Sequence, residues 1–137
     1  MARADSDEHY VLGLCDEVLG VPGQRQARFD WLRGDPMPRL PRVMTLPVDG
    51  YWPDLRLVVE FQEEQHSQPS PFFDRRQTVS GMGRGEQRRL YDERKRAQIP
   101  EHGLRLVVIE KSAFTLKSRK IDRDHVRDLQ VVRQHLA

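Results

Sequence analysis

The run Val48-Asp49-Gly50-Tyr51-Trp52-Pro53-Asp54-Leu55-Arg56-Leu57-Val58-Val59-Glu60-Phe61-Gln62 holds two extended-chain patterns separated by a proline-aspartate pair. Proline lacks a backbone donor and aspartate favours turns, so Pro53-Asp54 reads as the break between strands over 43–52 and 55–62. In the second strand Leu55, Leu57, Val59 and Phe61 fall on one face, and Val58, Glu60 and Gln62 on the other. Glu60 is the anomaly. A carboxylate flanked by Leu57, Val58, Val59 and Phe61 costs several kcal/mol unless something compensates it. A hairpin turning between Asp54 and Leu55 sets Asp49 directly across from Glu60. Two adjacent carboxylates repel by roughly 4 kcal/mol at 4 Å and an effective dielectric near 20.

Two arrangements relieve that repulsion. A hard divalent cation, Mg²⁺ or Mn²⁺, takes oxygen ligands from one or two carboxylates and keeps positions for water and phosphate oxygens. Alternatively, Glu60 pairs with an arginine and Asp49 is an ordinary turn acid. Gln62 projects to the same face as Glu60 and can position a water or a phosphate oxygen, but it supplies neither a positive charge nor a base. Glu63-Glu64-Gln65-His66 follows directly, with His66 either a general acid or phosphate donor, or an exposed loop residue.

Outward from this hairpin, Tyr10, Val11, Leu14, Cys15, Val18 and Leu19 recur three and four apart, predicting a helix over 6–19 capped by Ser6 or Asp7 and ended by Gly20. Residues 24–33 read as a second short helix anchored by Phe29, Trp31 and Leu32, and 34–41, with three prolines, as a loop. Residues 65–83, polar and including Phe72-Phe73, read as a long loop. A charged surface helix is expected over 86–98, ended by Pro100 and Gly103. Leu104 to Ile109 reads as a strand buried on both faces. Residues 122–137 read as a helix turning Val126, Leu129, Val132 and Leu136 inward.

The 137 residues suit a single domain, 1–137, of α/β class with a mixed central sheet flanked by helices. With 37% hydrophobic and 32% charged residues there is material for one modest core and no span for a bilayer. The first ten residues carry three acids and no apolar stretch, so a cytoplasmic location is expected. One cysteine, Cys15, allows no internal disulfide and fits a reducing compartment as a small core residue. The net charge of +2 announces no polyanionic partner by itself. Arg84, Arg88, Arg89, Arg94, Lys95 and Arg96, however, gather into a local basic face.

Residues 48–66 resemble the core of the PD-(D/E)XK nuclease superfamily, most closely the branch of very-short-patch-repair-type endonucleases, which read roughly VDFYxPELxLxIExDGxQH. In that branch an aspartate before a turn and a glutamate in the next strand hold the metal, a pattern that falls on Asp49 and Glu60. Asp92 and Lys95, followed by Gly103-Leu104-Arg105-Leu106-Val107-Val108-Ile109, are similar to a further segment of those relatives. Glu8 stands where the family often carries an additional acid able to join the metal, with Glu17 its competitor. The superfamily's usual lysine after the second acid is here Gln62, and Lys95 could supply that charge instead. The resemblance implies a restriction-endonuclease-like fold and a Mg²⁺- or Mn²⁺-dependent DNA endonuclease. Its metal ligands would be Asp49, Glu60 and Glu8. Gln62, His66 and Lys95 would serve the reaction, with Arg84, Arg88, Arg89, Arg94 and Arg96 on the DNA backbone. A homodimer would be needed for a double-strand cut. A binding module without catalysis and a protein-interaction domain using Phe72-Phe73 are the rival expectations.

Overall fold

Ser6 accepts a hydrogen bond from the His9 amide at 3.0 Å, satisfying one of the donors that a helix start leaves open, and Gly20 closes the helix at φ 75°. Between them runs α1, Asp7–Leu19, as its spacing predicts. The computed structural model describes residues 6–36, 43–63 and 84–137. After α1 come β1, Gln24–Arg33; β2, Thr45–Trp52; a short 3₁₀ turn, Pro53–Leu55; and β3, Leu57–Gln62. Then follow α2, Arg84–Glu101; β4, Arg105–Glu110; a 3₁₀ turn, Lys111–Ala113; a small hairpin of β5, Leu116–Lys117, and β6, Lys120–Ile121; and α3, His125–Leu136. The four longer strands form one mixed sheet in the order β1-β2-β3-β4, antiparallel between β2 and β3 and parallel between β3 and β4. The fold is thus α/β, a mixed sheet with helices beside it. Among the described residues no helix is long and apolar enough to cross a membrane.

The chain divides into two compact units. The first contains the described residues of Met1–Ala27, Val48–Glu64 and Leu104–Ala137; the second those of Arg28–Pro47 and Gln65–Gly103. In the first, α1 packs on β3 and on α3, and α3 on β4. Val11, Leu12, Leu14 and Cys15 of α1 meet Trp52, Leu57, Val59 and Phe61 of the hairpin, with Val107 and Ile109 of β4 and Val132 and Leu136 of α3. Burial pushes the Cys15 thiol up to about 12, so it is an inert core group. Polar contacts hold α1 as well. The Tyr10 hydroxyl donates to Asp128 Oδ2 at 2.6 Å, and burial together with that bond pushes the phenol's pKa up. Buried Asp7 pairs with Lys111 at 3.2 Å, and its Oδ2 accepts from the Ile121 amide at 3.3 Å.

Trp52, 1% exposed, fixes the spacing of this unit, with its indole N–H donating to the Val21 carbonyl at 3.0 Å. A Cβ on Gly23 would lie 2.3 Å from Trp52 Cε2, and one on Gly50 2.8 Å from the same ring. A buried indole cannot step aside as a flexible chain end can, so Gly23→Ala is expected to destabilise the protein by about 1–3 kcal/mol in urea unfolding. A variant of unchanged stability would mean the ring has room to move.

Several expectations are corrected. Residues 24–33 are a strand, because Phe29 and Trp31, two apart, stack on one face, which helical spacing does not permit. Strand β3 needs no correction: it is buried on both faces, and Glu60 is covered with its apolar neighbours Leu57, Val58, Val59 and Phe61. Strand β4 is less covered than expected, with Leu106 and Val108 half-buried. Helix α2 runs through Pro100 to Glu101 although Pro100 lacks an amide for the Arg96 carbonyl; the end is held by the His102 amide on the Gln98 carbonyl at 3.2 Å and by Ile99, which is fully buried. Val126 is 73% exposed. The inward stripe of α3 is Asp128, Val132 and Leu136, spaced by four, with Val126 rotated away from it.

Candidate functional site

The antiparallel register pairs Gly50 with Val59 and Trp52 with Leu57, which carries Asp49 opposite Glu60 as the sequence predicts. Here side chains take over from the backbone ladder. Glu60 Oε2 accepts the Asp49 amide at 2.8 Å, and Asp49 Oδ2 accepts the Phe61 amide at 2.8 Å. Each carboxylate thus grips the opposite strand's main chain. Glu60 is 8% exposed and Asp49 half-buried, so their charges are poorly screened by water.

A third acid joins them from α1. Glu8, half-buried in the first helical turn, shares a hydrogen bond with Asp49, and Gln26 Nε2 of β1 donates to Glu8 Oε2 at 3.4 Å. Gln26 sits at φ 54°, a left-handed conformation unusual for a residue with a side chain. Burial, then the negative charges of Glu63 and Glu60, push the Glu8 carboxyl above the usual glutamate range, against the hydrogen bond with Asp49. Such crowding of acids is a feature of places that hold a cation or a proton.

The sign of that shift yields a measurable outcome. The folded state binds the Glu8 proton more tightly than the unfolded chain does. The resulting stability is fully present below the usual glutamate range and is lost as pH rises through the raised folded value. In the presence of chelator, Glu8→Gln should therefore have a higher Tm than the wild type near neutral pH, and the difference should vanish towards about pH 4. Equal melting at both ends would contradict the crowding.

Glu17, the competing acid, lies elsewhere, with His125 Nε2 2.9 Å from its Oε1. Gln62 ends β3 half-buried, in register with Glu110 of β4. His66 and the side chain of Arg84 fall outside the described residues, as does Phe72-Phe73. Lys95 and the remaining arginines of the basic face belong to the second unit. There Arg88 and Arg96 are exposed and Arg89 and Lys95 half-buried. Arg94 is engaged internally, pairing with Asp35 at 3.1 Å and donating to the Arg33 carbonyl at 2.7 Å. Gln26 is the contributor that sequence reasoning missed, since it lies in the segment read as a helix.

No family model matches the chain, and no curated protein or solved structure is significantly similar to it. What the site can do follows from its own geometry. Its donor set, Glu8, Asp49 and Glu60, is all oxygen, which suits a hard cation rather than zinc or copper. Among the described residues no three His, Cys, Asp or Glu side chains stand as a ready-made metal cage.

Proposed function

We propose that the protein is a metal-dependent DNA endonuclease of restriction-endonuclease-like architecture, acting at the Asp49/Glu60 hairpin. The observation that carries this reading is the neighbourhood of three acids from a helix and two strands: Glu8 shares a hydrogen bond with Asp49 and feels the charge of Glu60 across the hairpin. Asp49 and Glu60, with Glu8, would hold Mg²⁺ or Mn²⁺. Bound there, the ion would polarise a phosphodiester and ease deprotonation of an attacking water. The chain's own part is positional. The reciprocal bonds hold each strand carboxylate on the opposite strand's main chain, and burial of Glu60 limits the screening of its charge. Gln62 can orient water or a phosphate oxygen through its amide. The exposed Arg88 and Arg96 of α2 offer phosphate contacts.

Scission of single-stranded, double-stranded, mismatched and branched DNA, titrated with Mg²⁺ and with Mn²⁺, tests the reading. Cleavage that needs the ion supports it, and none on any substrate refutes it. A second reading is favoured by the grip of Asp49 and Glu60 on backbone amides and by Gln62 where a lysine is usual: a nucleic-acid-binding module without catalysis. Its signature is DNA binding that persists in chelator and is unaltered by Asp49→Ala.

A further inference from the structure

The second unit holds a stack of rings that the acid cluster does not use. Phe29 and Trp31 share one face of β1, with ring centroids 4.8 Å apart and planes at 16°. The His102 imidazole lies 3.7 Å from the Trp31 ring at 6°. At those distances and angles two rings on one side of the indole would overlap, so they take opposite sides and Trp31 is the middle of three layers. His102 is exposed, and its Nδ1 sits 2.8 Å from the Gln98 carbonyl oxygen at the end of α2, which fixes the ring as the outer layer.

Charge indicates what such a ladder would receive. The described residues of this unit carry eight Arg and Lys against six Asp and Glu, and those of the other unit ten against twelve, so of the two this one is the more positive. Arg33 follows Phe29 and Trp31 on the same strand face and is exposed, as is Arg28 on the same strand. A flat, sequence-tolerant ring stack beside positive charge fits a polyanion whose bases are unpaired. A duplex keeps its base faces stacked on one another.

We propose that the Phe29-Trp31-His102 ladder binds single-stranded DNA, an unpaired base extending the stack on the outer face of His102 while arginines take the phosphates. The proposal deepens the nuclease reading by naming its substrate class and rests on that reading for its meaning, yet binding is measurable with no metal present. The experiment is fluorescence anisotropy of a labelled oligothymidylate of about 20 nucleotides, in EDTA, against a duplex of equal length. Loss of one stacked base weakens binding by about tenfold, so His102→Ala should lose that much on the single strand and change little on the duplex. His102→Phe, which keeps a flat ring, should retain wild-type affinity. Far-ultraviolet circular dichroism verifies folding of each variant. Failure of the wild type to bind oligothymidylate overturns the proposal, and so does wild-type affinity in His102→Ala or an equal loss on duplex. Binding in EDTA without cleavage in Mg²⁺ would instead remove the nuclease reading and leave the ladder standing.

Discussion

Glu60→Gln is expected to abolish metal-dependent strand scission, by about a thousandfold or more, while the protein stays folded. The amide keeps an oxygen that can accept the Asp49 N–H, so the bond that holds the hairpin together at this point survives. What disappears is the negative charge, and a neutral oxygen is a far weaker ligand for a hard cation. Glu60→Ala separates the two roles. It removes the acceptor as well, leaving the Asp49 amide unsatisfied at a half-buried position, and should cost about 1–3 kcal/mol of stability in addition to activity. Denaturant unfolding beside a scission assay reads both. Wild-type cleavage by Glu60→Gln would place the chemistry outside the hairpin and defeat the proposed function.

The second large effect concerns stability. Trp52→Ala is expected to cost about 3–5 kcal/mol, a large share of the 5–15 kcal/mol typical of whole domains. The indole is 1% exposed, presses against the sites where Gly23 and Gly50 lack a side chain, and donates to the Val21 carbonyl. Its removal opens a cavity against two backbone segments that are shaped around it. Trp52→Phe fills most of the space but loses the bond to Val21, so an intermediate loss is expected. A cost below about 1 kcal/mol for the alanine variant would show that α1 and the hairpin close over the gap.

The parts of this fold that were legible in the sequence are those governed by short-range periodicity. Helix α1 could be delimited from its apolar spacing, Ser6 and Gly20, and the opposition of Asp49 and Glu60 from the position of a proline turn. Strand β1 was not legible. Phe29, Trp31 and Leu32 satisfy a helical spacing as readily as an alternating one, and only their partners in space decide between the two. Gln26 was lost to the site with that strand. The inward role of Asp128 was hidden for a related reason, because its value comes from Tyr10, 118 positions earlier. A periodicity argument assigned the inward place to Val126 instead.

That separation between Tyr10 and Asp128 also orders events in time. Helix α1 is made before its partner, since Tyr10 precedes Asp128 by 118 residues. At the 5–20 residues per second of translation, roughly 6–24 s pass between the two. During that interval Glu8, carried on α1, lacks the clamp that seats its helix. A ribosome-bound chain would therefore hold α1 without its Tyr10–Asp128 bond until the distal helix has been made.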